Sequence, residues 1–506
     1  MIVSVLGDMS AVEAPPVMGA VSTSDTQRMN GVGAWITTTD HRRIGRMTIV
    51  ASALWLIVVT SLGALLGIER VASSSTFLPA DAIDQMFVLM QTLASFGVLL
   101  PILFGVAVAT VPTQVGARTI AVPRVALLGF YAWLSGVIVM AVAILANGGP
   151  AGGNAQMVDL FMIGLGTTIV GLLAIAVALF TTVAASRRSG LSLVDASLLS
   201  WSSLVGSVAV LVSLPVLLGT VVYVAVDLHY DSLAFGGAKS VMSWIGWGFT
   251  QPQTFVYAII AVGLLAQMAP SMAARSQPLR GAMLVGIGLV AATVVGTVTQ
   301  TSQTFEWKGS LGDKLDSFVP YALYNLLPVL GTAVVILLAL LAVKGGERRL
   351  FVPFVPVFLG VGMVFTGMAG NAIVHIDSAG VDGTVFAEGA TIYVVYGAVL
   401  AAWGAVALYG PNWTSRSIPS PVVLGVSGLG VVATVLAGLP MYVAGFADQP
   451  AATVSDFVYS GPKELLNAVS AAGHVLMLVV TIAAVLGALK ALSSGPQTGS
   501  EWGGDR

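Results

Sequence analysis

The chain has 506 residues, of which 57% are hydrophobic and only 9% charged, with a mean hydropathy of +0.94. A soluble fold of this length cannot hide so much apolar surface, so the composition indicates an all-α, multi-pass integral membrane protein. A net charge of −2 without a basic tract argues against a nucleic-acid partner, and the lack of cysteine excludes disulfides, thiolate metal sites and cysteine nucleophiles.

In chain order, residues 1–30 carry no secretory signal: Asp8 and Glu13 flank no basic-then-apolar pattern, and Pro15-Pro16 follow. This stretch is expected to be a flexible cytoplasmic tail. Apolar runs separated by Gly, Pro and charge then predict twelve helices within one membrane domain, 31–492. They lie near 46–69, 83–111, 123–145, 159–184, 193–226, 240–268, 280–300, 318–344, 353–375, 384–409, 420–445 and 463–492. Residues 493–506 follow as a short C-terminal tail. Runs beyond about 25 residues exceed a perpendicular crossing and should tilt.

Twelve spans place all but five of the 21 Lys and Arg on one side; Arg70, Lys239, Lys308, Lys314 and Lys463 are the exceptions. The positive-inside rule then puts both termini in the cytoplasm of a protein in the cell's inner (plasma) membrane. Asp and Glu gather at helix ends and in loops, Glu69 among them, so the membrane interior reads as nearly uncharged. Glu388, near the start of the tenth span, and His474, in the twelfth, are the deepest ionisable candidates. That scarcity argues against ion coupling.

Several segments carry a pattern in a fixed order: WITTTDHRRIGRM (35–47), VPTQVGARTIAVPR (111–124), SLPVL (213–217) and DLHY (227–230). WGFTQPQTFVY (247–257), YGAVLAAWGAVALYGPNW (396–413) and LNAVSAAGHV (466–475) follow. Together they resemble cytochrome c oxidase subunit I, the core of the heme-copper oxidase superfamily, over roughly residues 35–490. The resemblance implies three quasi-symmetric arcs of four helices, whose interior holds two hemes and one copper in active members.

The same resemblance implies that the ligands have been replaced. In the sixth helix, where the family has histidine, proline and glutamate after its tryptophan, this chain has Trp247, Gln251, Pro252 and Gln253. Trp247 and the Pro252 bend are retained; the copper-binding imidazole and the carboxyl are not. The family's heme-binding histidine of the second helix falls at Met90, and its copper-binding pair of the seventh at Ser302 and Gln303. The His-x-His of the tenth helix falls at Gly389 and Thr391, and the two propionate-binding arginines at Met441 and Tyr442. Asp382 matches the aspartate of a loop motif beside the hemes, but its histidine neighbour is Val381. Copper of this type requires imidazole, and heme iron takes His, Met, Cys or Tyr. With only four histidines, His41, His229, His375 and His474, six imidazole ligands are unavailable, so neither cofactor is expected.

Each candidate has a plainer reading. Met90 is an axial ligand or a core methionine filling space; Gln251, Gln253, Ser302 and Gln303 bind a polar ligand or bond one another and water. His474 is a proton relay or bonds a neighbouring helix; Glu388 faces the former heme cavity or reaches water. Phe255, Tyr393, Tyr396 and Trp403 are expected to fill part of the emptied space. The expectation is a cofactor-free, catalytically silent scaffold or partner subunit, embedded in the bilayer beside other membrane subunits of an oxidase-like or respiratory complex. The alternatives are a functioning oxidase subunit with unusual cofactor binding, and a transporter or small-molecule binder that reuses the cavity.

Overall fold

The structure, a computed structural model, describes residues 35–71, 77–250, 252–346, 351–454 and 462–494. The expected terminal tails lie outside these, apart from Ser493 and Ser494, and so does Gln251. The chain divides into a short unit, Met1–Thr38, and a helical body, Thr39–Arg506. Of the first unit only residues 35–38 are described, with Trp35 and Ile36 exposed.

Twelve helices among the described residues are long and apolar enough to cross a membrane. They are α1 (His41–Val71), α2 (Ala82–Gln114), α3 (Pro123–Leu145), α4 (Ala155–Ala185), α5 (Leu198–His229) and α6 (Ala238–Met272). The second six are α7 (Arg280–Val298), α8 (Leu311–Lys344), α9 (Phe354–Val374), α10 (Val385–Thr414), α11 (Ser420–Phe446) and α12 (Pro462–Ala491). The only β pairings among the described residues are two isolated bridges, Phe305–Ile376 and Thr384–Pro450. The molecule is an all-α integral membrane protein.

Burial separates the helices by order. The most apolar stretch is 100% buried in α2, 78% in α6 and 72% in α10, against 56% or less in the other nine. One inner helix therefore recurs at every fourth position. The sequence neighbours α9, α10, α11 and α12 pack in succession, and α12 packs on α1. Close approach is permitted by small residues. A Cβ on Gly360 of α9 would lie 2.4 Å from the Gly397 carbonyl oxygen of α10, and one on Gly397 would lie 2.6 Å from that of Gly360.

Departures from regular geometry in α2 and α6, and the early start of α8, each have a local reason. In α2 the segment Leu93–Leu99 is a π-helix, with the Leu100 N–H reaching the Ser95 carbonyl. Pro101 has no N–H, so the next bond of that pattern, to Phe96, cannot form. The Trp133 indole of α3 donates to the Phe96 carbonyl instead, at 2.7 Å, and Ser95 Oγ donates to the Phe249 carbonyl at 2.9 Å. In α6 short turns, Val241–Ile245 and Gly246–Gly248, precede the regular helix Gln253–Met272, with Pro252 at its N-cap. α8 begins seven residues before the apolar run that predicts it. Its first turns, LGDKLDS, are polar but held by a capping box in which Ser310 and Asp313 bond each other's backbone N–H groups.

Candidate functional site

A cavity of about 410 Å³ opens at the arginine-poor end of the bundle. Val59, Gly63, Gly67 and Arg70 place one face of α1 along it, a run of about 16 Å at helical rise. α2 contributes Met90, Gln91 and Ala94; α10 contributes Glu388, Thr391 and Tyr396; Met441 of α11 and Asn467, Ser470 and His474 of α12 complete the wall. Asp382 and Gly383, both exposed, stand at the rim.

Near that rim lies an ion pair. Arg70 Nη1 and Nη2 reach Glu388 Oε2 and Oε1 at 2.7 and 2.8 Å, a two-pronged contact between α1 and α10. The Arg70 side chain is 6% exposed and that of Glu388 20%. Arg70 Nε also donates to the Thr453 carbonyl at 3.3 Å, its guanidinium lies 4.8 Å from the Phe87 ring centre, and Glu388 accepts from the Ala452 N–H at 2.7 Å. The adjacent Glu69 is fully buried and accepts from the backbone N–H groups of Phe77 and Leu78, each at 3.1 Å. Sequence reading puts Glu69 and Arg70 at the non-cytoplasmic end of the first span and leaves Glu388 either facing the former heme cavity or reaching water. The structure buries Glu69 and Arg70 in the last turn of α1 and sets Glu388 in the cavity lining, paired with Arg70.

Deeper in the cavity, His474 Nδ1 and Tyr396 Oη are 2.8 Å apart. The imidazole lies over Gly63, where a Cβ would come within 2.6 Å of Nδ1. His474 is thus bonded to a neighbouring helix. On the α9 side, Asn371 lines the cavity and donates to Asn325 Oδ1 at 2.9 Å, while Asn325 Nδ2 faces Gln303 Oε1 at 3.4 Å. His375 Nδ1 bonds the Asn371 carbonyl at 3.0 Å. Burial holds the His375 imidazole below its ordinary pKa, against the opposing pull of that hydrogen bond and of Asp382.

The sequence profile of the family described as Cytochrome C and Quinol oxidase polypeptide I matches residues 43–486. The chain belongs to this family. It is 30% identical over 283 residues to a cytochrome c oxidase subunit 1 of Corynebacterium diphtheriae, covering 52% of this chain and 49% of that one. It is 23% identical over 288 residues to a quinol oxidase subunit 1 of Bacillus spizizenii, 54% and 44% of the two chains. A probable cytochrome c oxidase subunit 1-beta of Nocardia farcinica is 27% identical over 254 residues, 46% and 43%. The chain spans about half the length of the curated relatives it matches.

The family register can now be placed on the structure. Met90, Thr391, Asp382, Glu388 and His474 come together around the cavity. Gly389 does not: its missing side chain faces α11, where a Cβ would meet the Gly438 carbonyl and Met441 at 3.0 and 3.1 Å. Trp247, Pro252 and Gln253 also lie away from it; Gln253 is fully buried and donates to Ser213 Oγ of α5 at 2.8 Å. Ser302 and Gln303 do not form a pair. α7 ends at Val298, Gln300 turns left-handed at φ 53°, and beyond it Ser302 is exposed while Gln303 bonds Asn325. Of these amides, Gln253 bonds a serine of another helix and Gln303 faces the amide of Asn325, while Gln251 lies outside the described residues.

These residues do not fit copper. Gln253 Oε1 is a buried orphan acceptor, but a neutral amide oxygen is no substitute for imidazole. Among the described residues, no group of three or more His, Asp or Glu side chains converges. They also do not fit heme at the family positions. Met90 is chemically an axial ligand, but Thr391 is an alcohol whose Oγ1 donates within its own helix to the Ala387 carbonyl at 3.1 Å. Where the family places propionate-binding arginines, Met441 lines the cavity. Tyr442 stacks between Phe386 and Tyr393, with ring centres at 4.4 and 5.4 Å, and donates to the Thr366 carbonyl.

Of the expected space-fillers, Phe255 is fully buried and Tyr393 joins that stack. Tyr396 lines the cavity, while Trp403 packs towards Val423 in a separate cluster. Sequence reasoning misses Arg70, Gln91 and Asn371. Gln91 had a usable signal, a primary amide one residue past Met90 inside an apolar span.

Proposed function

We propose that this chain is a cofactor-free, catalytically silent member of its family, a pseudoenzyme serving as scaffold or partner subunit in an oxidase-like or respiratory membrane complex. One observation carries the reading. The two positions where the family would hold a heme between facing helices, Met90 and Thr391, share a cavity but supply one thioether and one alcohol. The nearby cation, Arg70, is engaged by Glu388. Relatives bear the name subunit 1, which supports other membrane subunits as partners, together with the surrounding bilayer. The lysine and arginine distribution supports both termini in the cytoplasm, and the bacterial relatives support the plasma membrane.

The test is heme and metal content of the gently purified chain, by a reduced-minus-oxidised spectrum with elemental iron and copper. Neither metal, with other subunits bound, supports the reading; one heme per chain overturns it. A second reading, a subunit of a functioning terminal oxidase that passes electrons to oxygen and moves protons, draws on Met90 and His474 lining one cavity. It requires heme that disappears in both Met90→Leu and His474→Leu.

A further inference from the structure

The cavity holds polar groups that the protein itself leaves unanswered. Gln91 is half-buried within α2 and lines the cavity, and its side-chain amide makes no hydrogen bond to any described residue. An amide at membrane depth requires a partner from water or from a ligand. His474 supplies a second group. Tyr396 is 2% exposed, and donating to His474 Nδ1 satisfies its hydroxyl proton, so the neutral imidazole carries its own proton on Nε2. That tautomer is assigned from the hydrogen-bond pattern. Among the described residues Nε2 has no hydrogen-bond partner, and His474 lines the cavity.

Charge and shape narrow the ligand. Among the described residues, the ionised groups inside, Arg70 and Glu388, pair with each other, and Asp382 lies exposed at the rim. A charged ligand entering would be desolvated with no counter-charge to meet it. The rest of the lining mixes apolar side chains, among them Val59, Leu66, Phe87 and Met441, with polar ones such as Asn371, Asn467 and Ser470. A volume near 410 Å³ falls within the ordinary range for small-molecule pockets. We infer that the cavity is a binding site for an uncharged aromatic molecule bearing a carbonyl or hydroxyl oxygen. That oxygen meets His474 Nε2–H and the Gln91 amide, and the ring lies against the apolar side chains of the lining, Phe87 among them. This inference rests on the cofactor-free reading, because a heme would take the same space.

The experiment uses the full chain in detergent, first scanned for a heme Soret band. Binding is then measured by equilibrium dialysis against protein-free micelles, with three probes sharing one ring: 2-naphthol, 2-naphthoate and 2-naphthylmethylammonium. The neutral probe is expected to bind one per chain, and each charged probe at least about tenfold more weakly. Gln91→Leu and His474→Phe are each expected to weaken 2-naphthol roughly five- to tenfold, the loss of one hydrogen bond. Tyr223→Phe, on the exposed face of α5, leaves it unchanged. Should His474→Phe fail to fold, Gln91→Leu carries the test. Equal binding of all three probes, or binding unaffected by the tolerated variants, overturns the inference and leaves the cofactor-free reading intact. A Soret band at one heme per chain overturns both, and is seen before any probe is added.

Discussion

Removing Glu388 tests whether the buried ion pair is structural. Leucine at this position deletes the contacts at 2.7 and 2.8 Å and leaves a guanidinium that is 6% exposed facing an apolar side chain. Stranding one member of a buried pair costs about 3–5 kcal/mol; the Thr453 carbonyl and the Phe87 ring still contact Arg70, so about 3 kcal/mol is expected for Glu388→Leu. Arg70→Met strands the other partner, but Glu388 is 20% exposed and keeps the Ala452 N–H, so about 2 kcal/mol is expected. The double variant replaces both charges by apolar groups of similar volume and should return to within about 1 kcal/mol of the parent. Reversible unfolding in mixed micelles measures all three. Single variants that each lose less than about 1 kcal/mol would match an exposed pair and refute the buried assignment. A double variant as unstable as the two losses summed would equally refute it.

Three further outcomes follow from neighbouring contacts. Gly63→Ala puts a Cβ within 2.6 Å of His474 Nδ1, so the ring must shift and the Tyr396 bond break, at about 1–3 kcal/mol; combining it with His474→Ala should relieve most of that loss in the same unfolding assay. Trp133→Phe leaves the Phe96 carbonyl of the π turn without its donor and should cost about 1–3 kcal/mol, a penalty that Trp133→Phe would not show if the indole bond were incidental. His375, held below its ordinary value of 6.5 by burial, gives a pH effect of fixed sign. The unfolded chain takes up the proton first, so stability is full above that value and falls as pH drops through the folded value; melting compared at about pH 7.5 and about pH 5 should show a loss that His375→Gln reduces.

The twelve spans were readable because lipid admits long apolar helices and little else, and the arginine pattern fixes their count independently. Helix ends were harder where polar residues continue the helix. Asp40 accepts the Arg42 N–H at 2.9 Å and starts α1 ahead of its apolar run, and Ser310 does the same for α8. The cavity was half readable. Met90, Thr391, Asp382, Glu388 and His474 could be placed by register, yet the Arg70–Glu388 pair spans 318 residues and no local pattern announces it. Treating Arg70 as a loop residue followed from its position at the end of an apolar run. Burial there depends on α10 and the 447–454 segment closing over it. Ser302 lies past the end of α7 at Val298, so the family register there runs beyond the helix.

The seam between α1 and α12 also has a bearing on how the molecule is made. His474 occupies the gap above Gly63, and Ala471 the one above Gly67, so the first membrane span is sealed by the twelfth. During synthesis α1 to α11 enter the bilayer before that seal exists, and until then Gly63 and Gly67 lack the side chains that cover them. The cavity wall is therefore completed only once α12 has entered. A chain halted after α11 would lack the wall that Asn467, Ser470 and His474 supply, leaving the cavity open along its side as well as at its mouth.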